Sequence, residues 1–138
     1  MNMSASVAQQ AAPTSRGLLL TGRILSALPV LIMLMSASLK LAHPPQVVEQ
    51  FGGKFGYPQE LLLPLAAIEI SCVALYLIPR TAVLGAVLTT GYLGGAIATH
   101  VRVQDPGFAT ALILGVLVWA GLLLRDPRLR ELLPLRRL

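Results

Sequence analysis

Four long apolar stretches divide the chain, and charged residues, glycine or proline bound each of them. They run from about residue 18 to 42, from 61 to 79, from 81 to 99 and from 106 to 124. About 20 apolar residues are enough for an α-helix to cross the hydrocarbon core of a bilayer, so each stretch is predicted to be a membrane span. The pattern predicts an all-α fold, an antiparallel transmembrane four-helix bundle.

The connections between the predicted spans differ in length. Arg80 leaves almost no connection between spans two and three, and residues 100–105 join span three to span four. Residues 43–60 form one longer outer loop between spans one and two, and their glycine and proline content argues against a long helix. We expect a short surface helix over residues 47–51. The aromatic residues of this loop are expected at the membrane interface: Phe51, Phe55 and Tyr57.

Composition agrees with a membrane protein and excludes other classes. Of the 138 residues, 55% are hydrophobic and 12% are charged, and the mean hydropathy is +0.73. Soluble domains carry about 25% charged residues. The net charge is +5, but the arginines flank apolar segments instead of covering a soluble face, so a nucleic-acid partner is not expected. The expected partner is the lipid bilayer.

The basic residues are distributed unequally between the two sides of a four-span bundle. Three lie on the side of the long loop, namely Lys40, Lys54 and Arg102. Eight lie on the other side: Arg16, Arg23, Arg80, Arg125, Arg128, Arg130, Arg136 and Arg137. By the positive-inside rule, both termini are predicted to be cytoplasmic, in a membrane of the bacterial inner-membrane type.

Three segments are predicted along the chain. Residues 1–17 have the Ser/Ala/Gln composition of a disordered cytoplasmic tail, and residues 18–125 form the membrane domain. Residues 126–138 form a basic tail that is either an amphipathic helix on anionic lipid or a solvated tail. The first span also resembles a signal peptide, whose cleavage would leave three spans. The agreement of every loop charge with the four-span topology favours the uncleaved form.

Glu69 is the main candidate for chemistry, because it lies alone in the middle of the second apolar stretch. A charge at the bilayer midplane costs about 2.5–3.5 kcal/mol even on insertion scales, so Glu69 is predicted to be neutral, paired or facing a polar interior. Counted from Arg80 at about 1.5 Å per residue, Glu69 lies about 16 Å up the second span and Tyr92 about 18 Å up the third. The two residues are therefore expected at one level.

Lys40 and His100 lie close to the outer ends of their spans. Side chains lean toward the N-terminus of a helix, so Lys40 leans inward, Glu69 leans outward, and the two can approach each other. We predict Glu69, Lys40 and His100 as catalytic residues, with Glu69 exchanging protons and Lys40 or His100 setting its charge. A snorkelling lysine, an ordinary boundary histidine and a purely structural buried bridge are the alternatives. Four small polar residues could extend a hydrogen-bonded file to the outer surface: Ser36, Ser38, Thr89 and Thr99.

The third span contains Gly91-Tyr-Leu-Gly-Gly95, which has the small-xxx-small spacing of closely packed membrane helices. Packing within the bundle is the first expectation, and a flat ligand or a homodimer contact is the alternative. The predicted ligand-binding residues are Tyr92, Gly91, Gly94, Gly95 and Arg102. No metal site is predicted, because His43 and His100 lack a ligand spacing, and the single Cys72 forms no internal disulfide.

Several segments taken together resemble the DoxX-like family of small four-span membrane proteins. They are residues 38–44, 55–58, 68–70, 78–86, 91–102 and 124–130, and the resemblance covers roughly residues 20–134. It implies a four-helix membrane bundle and a link to DoxX and DoxD proteins, some of which are subunits of quinone-reducing sulfur oxidoreductases. Six residues fall on positions that give this family its character: Lys40, Glu69, Gly94, Gly95, His100 and Arg102.

Three functions are compatible with these features. The first is a membrane redox accessory that binds a quinone and uses Glu69 as its proton-exchanging group, with electrons supplied by a partner oxidoreductase. The second is a small transporter in which Glu69 is the coupling residue and which dimerises to enclose a path. The third is a structural or assembly subunit in which Glu69 and Lys40 form only a buried bridge.

Overall fold

The computed structural model describes residues 14–133, and within them the chain is helical without strands. Its α-helices are α1 (Arg16–Ala42), α2 (Pro45–Glu49), α3 (Leu62–Leu77), α4 (Ala82–Arg102), α5 (Phe108–Arg125) and α6 (Pro127–Leu132). A π-helical turn, Gln50–Lys54, and a 3-10 turn, Gln59–Leu61, separate α2 from α3. The predicted all-α fold is confirmed.

The four long helices form an antiparallel bundle. Helix α1 packs against α3 and α5, and α4 packs against the same two helices, so the order around the bundle is α1, α3, α4, α5. We call the end at which α1 begins and α5 ends the terminal end, and the opposite end the loop end. Residues 16–42, 59–77, 82–102 and 108–125 are each long and apolar enough to cross a membrane.

The outer surface of the bundle is apolar along its whole length. Large hydrophobic side chains are exposed on each long helix, among them Leu31, Leu63, Leu84 and Val116. Such a continuous apolar surface is not compatible with water, whereas lipid chains cover it without cost. The protein is therefore an integral membrane protein with four candidate spans.

The long loop is more ordered than the sequence predicts. The backbone of His43 adopts a left-handed conformation, with φ of 51°, and ends α1. Helix α2 then starts at Pro45. Proline is favourable there because the first N–H groups of a helix have no acceptor within the helix, so its missing N–H costs no hydrogen bond. The helix continues into the π-helical turn. The predicted helix over residues 47–51 was therefore too short. Phe51 and Phe55 are buried against Leu62, so their rings pack within the protein, and their position at the membrane interface stays a prediction.

The chain ends are described only in part. Ser15 caps α1 by accepting a hydrogen bond from the Leu18 amide at 3.3 Å, so residues 16 and 17 of the predicted tail belong to the helix. The rest of the predicted disordered tail, residues 1–13, lies outside the described residues. In the basic tail, α6 buries Leu129 against the bundle core. An association of this tail with anionic lipid stays a prediction.

Candidate functional site

Glu69 faces the interior of the bundle because it lies on the buried stripe of α3. The stripe repeats every three or four residues, as helix geometry requires, and consists of Leu62, Ala66, Glu69, Cys72, Val73 and Tyr76. Glu69 is only 2% exposed. A carboxylate is thus placed at a position that the helix pattern reserves for the core.

Lys40 of α1 pairs with this carboxylate. Its Nζ lies 2.7 Å from Oε2 of Glu69 and also donates to Ser36 Oγ at 2.5 Å. The Ser36 hydroxyl donates to the same Oε2 at 3.4 Å. The structure therefore brings Lys40 and Glu69 into contact in the way that the lean of their side chains indicates. It also joins Ser36, one of the predicted small polar residues, to the pair.

The burial of this ion pair has energetic consequences. The side chains of Lys40 and Glu69 are 14% and 3% exposed, so both charges have lost most of their water. Desolvation of a buried pair offsets much of its Coulomb attraction, and removal of one partner leaves an uncompensated charge. A pair of this kind is weak evidence for a stabilising role, whereas ionisable groups inside membranes generally mark functional sites.

Tyr92 brings a third helix, α4, to the site. The Lys40 Nζ lies 6.0 Å from the centre of the Tyr92 ring, which is partly buried. Cys72, one turn from Glu69 on α3, and Thr89, one turn from Tyr92 on α4, are both buried as well. The pair is therefore held where α1, α3 and α4 converge, and we call Ser36, Lys40, Glu69 and Tyr92 the ion-pair site.

The three predicted ligand-binding glycines lie on the outside of the bundle. A Cβ atom built on Gly91, Gly94 or Gly95 would meet no atom within 4 Å. The expectation that these glycines pack against another helix of the bundle was wrong, because α4 uses its neighbouring face, with Leu93 and Ala96, for that packing. Gly91 and Gly95 flank Tyr92 along the helix, so the glycine face borders the ion-pair site at the outer surface of the bundle.

His100 and Arg102 belong to a different cluster, at the loop end. The His100 ring pairs with the Asp105 carboxylate, which also accepts from Lys54 Nζ at 2.9 Å. Arg102 donates to the Phe55 carbonyl, and its guanidinium lies 5.7 Å from the Tyr57 ring centre. These contacts hold the long loop on α4. His100 is thereby engaged away from the Lys40–Glu69 pair with which it was predicted to act.

Electrostatics in this loop-end cluster favour an ionised Asp105. The hydrogen bond from the Lys54 ammonium, followed by the one from His100, lowers the pKa of the Asp105 carboxyl. Sequence reasoning missed both Lys54 and Asp105 as partners, although Asp105 follows His100 by only five residues. Within residues 14–133, no group of three His, Cys, Asp or Glu side chains is arranged to hold a metal ion.

Two open, shallow grooves lie at the loop end of the described bundle, away from the ion-pair site. One is lined by Val101, Gln104, Pro106 and Phe108, and the other by Gln46, Glu49, Gln50, Gly53 and Lys54. Neither contains Lys40, Glu69 or Tyr92.

A comparison with known protein families decides the identity of the chain. Residues 24–121 match the family described as the DoxX-like family, a range that includes every residue of the ion-pair site. The chain belongs to the DoxX-like family. No curated protein and no solved structure matches it. The DoxX-like fold of this chain is thus a four-helix bundle that carries one buried ion pair among its described membrane helices.

Proposed function

We propose that this DoxX-like protein is a quinone-linked redox accessory of the membrane, in which the Lys40–Glu69 pair exchanges protons with a bound quinone. The observation that supports this proposal is the pair itself, which places a hydrogen-bonded carboxylate inside an apolar span. Ionisable residues at that depth are costly and mark sites of proton or substrate handling.

The chemistry of quinones gives such a carboxylate a role. Reduction of one quinone to a quinol consumes two electrons and two protons, and bulk water is absent from the hydrocarbon core. Glu69 would carry each proton, while the Lys40 ammonium and the Ser36 hydroxyl hold its carboxylate in place. A partner oxidoreductase would supply the electrons. The protein thus would bind the quinone and deliver protons to it.

The headgroup would lie on the glycine face of α4, beside Tyr92. No neighbouring atom occupies the space over Gly91, Gly94 and Gly95, and a flat ring needs such a surface. The Tyr92 hydroxyl would donate a hydrogen bond to a quinone oxygen, and the Lys40 Nζ lies 6.0 Å from the centre of the Tyr92 ring. The isoprenoid tail would run among the lipid chains, because this face is open to the bilayer.

Binding of a short-chain quinone analogue to purified protein in detergent tests this function. We expect saturable binding with micromolar or tighter affinity, lost in Gly94→Leu and weakened in Glu69→Gln. Gly17→Leu and Glu60→Gln are matched controls, because Gly17 also has open space around it and Glu60 is an exposed carboxylate. Absence of binding by the folded wild type, or equal loss in a control, would contradict the proposal.

The orientation proposed for this site is that of an inner-membrane protein with cytoplasmic termini. It is supported by the excess of arginine at the terminal end. Single cysteines at the exposed positions Gln46 and Glu131, in a Cys72→Ala background, should react with an impermeant reagent from opposite sides of the membrane. Labelling of both from the same side would contradict this topology.

A structural or assembly subunit is the second candidate, and one observation favours it. The Glu69 carboxylate is enclosed, and its Oε2 already has two donors, Lys40 and Ser36. In this case the pair would only fix the packing of α1 against α3. The folded protein would bind no quinone, and Gly94→Leu would leave its stability unchanged.

A further inference from the structure

Two arginines at the terminal end carry buried hydrogen-bond donors without acceptors. Within residues 14–133, Nε and Nη2 of Arg125 and Nε of Arg130 have no hydrogen-bond partner. The ion pairs in this part of the chain are Lys40–Glu69, Lys54–Asp105 and His100–Asp105, so neither arginine has a carboxylate. Because buried charged donors are costly to leave unpaired, these guanidinium groups require an acceptor from elsewhere.

Arg125 is held in a defined position. It is the last residue of α5, and its guanidinium lies 4.9 Å from the centre of the Tyr76 ring. The Tyr76 hydroxyl is fixed in turn by Ser26 Oγ at 2.9 Å and by the Val118 carbonyl at 2.8 Å. Gly22 of α1 leaves room for the arginine stem, since a Cβ atom there would lie 2.9 Å from Arg125 Cγ. This arginine is thus oriented before any ligand arrives.

Arg130 is positioned by the docking of α6. The Asp126 carboxylate caps this helix by accepting from the amides of Arg128 at 3.0 Å and Leu129 at 3.4 Å. Leu129 is buried in the bundle core, which fixes α6 against the other helices. Arg130 then donates from Nη2 to Thr14 Oγ1 at 2.9 Å. Both arginines are therefore part of a built surface at the terminal end.

The surroundings of these arginines favour an anion of the membrane interface. Arg125 ends a membrane span, so it lies at the depth at which lipid phosphates begin. Guanidinium groups bind phosphate with two parallel hydrogen bonds. Both side chains are partly exposed as a whole, whereas the three unpaired nitrogens themselves are buried, so a phosphate would have to reach them from the exposed part of each side chain. Four further arginines increase the positive potential at this end: Arg16, Arg23, Arg80 and Arg128.

We propose that Arg125 and Arg130 form a binding site for a phosphate group, supplied by the headgroup of an anionic lipid or by a soluble phosphate compound. The Arg125 guanidinium, stacked on Tyr76, donates hydrogen bonds to the phosphate oxygens. The partly buried Arg130 contributes a second cation from α6. This site is separate from the ion-pair site and does not depend on the function proposed for it.

Thermal unfolding of the purified protein in detergent tests this site, with phosphatidylglycerol, phosphatidylcholine and inorganic phosphate as the three added probes. We expect a saturable rise of the unfolding temperature with phosphatidylglycerol and none with phosphatidylcholine. Arg125→Gln and Arg130→Gln should each weaken the response about tenfold or more, the effect of losing one charged hydrogen bond. Arg128→Gln is the matched control, because it removes the same charge from an exposed position of α6.

The outcomes distinguish the two sources of phosphate. A response to phosphatidylglycerol alone assigns the site to lipid, and an equal response to inorganic phosphate assigns it to soluble compounds. If Arg125→Gln does not fold, Arg125→Lys is the second variant, because it keeps the charge and a long aliphatic side chain but lacks the planar guanidinium. It should also weaken the rise of the unfolding temperature. No saturable response to either anion, or an equal loss in Arg128→Gln, would overturn the proposal.

Discussion

The two halves of the bundle accommodate buried cations in different ways. In the loop half, the Lys40 ammonium is neutralised by Glu69 from a facing helix. In the terminal half, the Arg125 guanidinium lies over Tyr76 and has no carboxylate among the described residues. Glu69 and Tyr76 are seven residues apart on one stripe of α3, which corresponds to about 10 Å along the helix.

Depth explains this difference. Near the bilayer midplane neither water nor lipid phosphate is available, so a charge there requires a counter-charge from the chain itself. At the end of a span, phosphate groups can provide the missing acceptor. The ion-pair site is thus electrostatically complete within one chain. Arg125 and Arg130 depend on an external anion.

The largest expected effect is on the ion-pair site. Lys40→Met leaves the Glu69 carboxylate unpaired and should destabilise the protein by about 3–5 kcal/mol, and Glu69→Gln should have a comparable effect by leaving the lysine unpaired. The double variant should recover much of the loss. Thermal or denaturant unfolding in detergent measures this double-mutant cycle. Additive losses would mean that the two residues do not interact.

A matched cycle at the surface sharpens this measurement. Lys54 and Asp105 form a pair of similar length, 2.9 Å, but the Lys54 side chain is 47% exposed. Solvent screens such a pair, so Lys54→Met and Asp105→Asn should couple much more weakly than Lys40 and Glu69 do. Coupling of equal size in both cycles would show that burial does not set the strength of these pairs.

The next effect concerns two glycines of α4, one in each half. A Cβ atom on Gly85 would overlap the backbone of Tyr76, so Gly85→Ala should force α3 and α4 apart and cost about 1–3 kcal/mol. Gly94 has open space, and Gly94→Ala should be neutral or stabilising by up to about 1 kcal/mol through helix propensity. Unfolding of the two variants compares them directly. Equal losses would mean that Gly94 is covered by a neighbour, such as a second copy of the chain.

Tyr76→Phe has a smaller expected effect. It removes the hydroxyl shared with Ser26 and the Val118 carbonyl but keeps the ring under Arg125. We expect a loss of about 1–2 kcal/mol, because Ser26 is left without this partner in the core. The response to phosphatidylglycerol should persist in this variant and decline in Tyr76→Leu, which lacks the ring. Loss of the response in Tyr76→Phe alone would assign the effect to the hydroxyl instead of the ring.

Much of this architecture was predictable from local sequence. Span length and charge placement predicted the all-α four-helix bundle, and the position of Glu69 with the lean of Lys40 indicated their contact. The outward direction of Gly91, Gly94 and Gly95 was not predictable, because small-xxx-small spacing does not specify whether the partner helix is in the same chain. The contact of Arg125 with Tyr76 was not predictable either. It joins α3 to α5 across 49 positions of the chain, and the sequence contains no local signal of it.

The smallest expected effect is a pH dependence of stability at the loop end, away from the ion-pair site and from Arg125 and Arg130. The pKa of Asp105 is lowered by Lys54 and His100, so its ionised form stabilises the folded state above the unfolded pKa of about 3.9. This contribution is lost as the pH falls from there through the lowered folded value. The difference in unfolding temperature between the wild type and Asp105→Asn should therefore shrink as the pH falls below about 4–5. Lys54→Met should make this pH dependence smaller, since it removes the main cause of the lowered Asp105 pKa. A difference in unfolding temperature that stays constant down to pH 3 would show that the ionisation of Asp105 does not hold the long loop on α4.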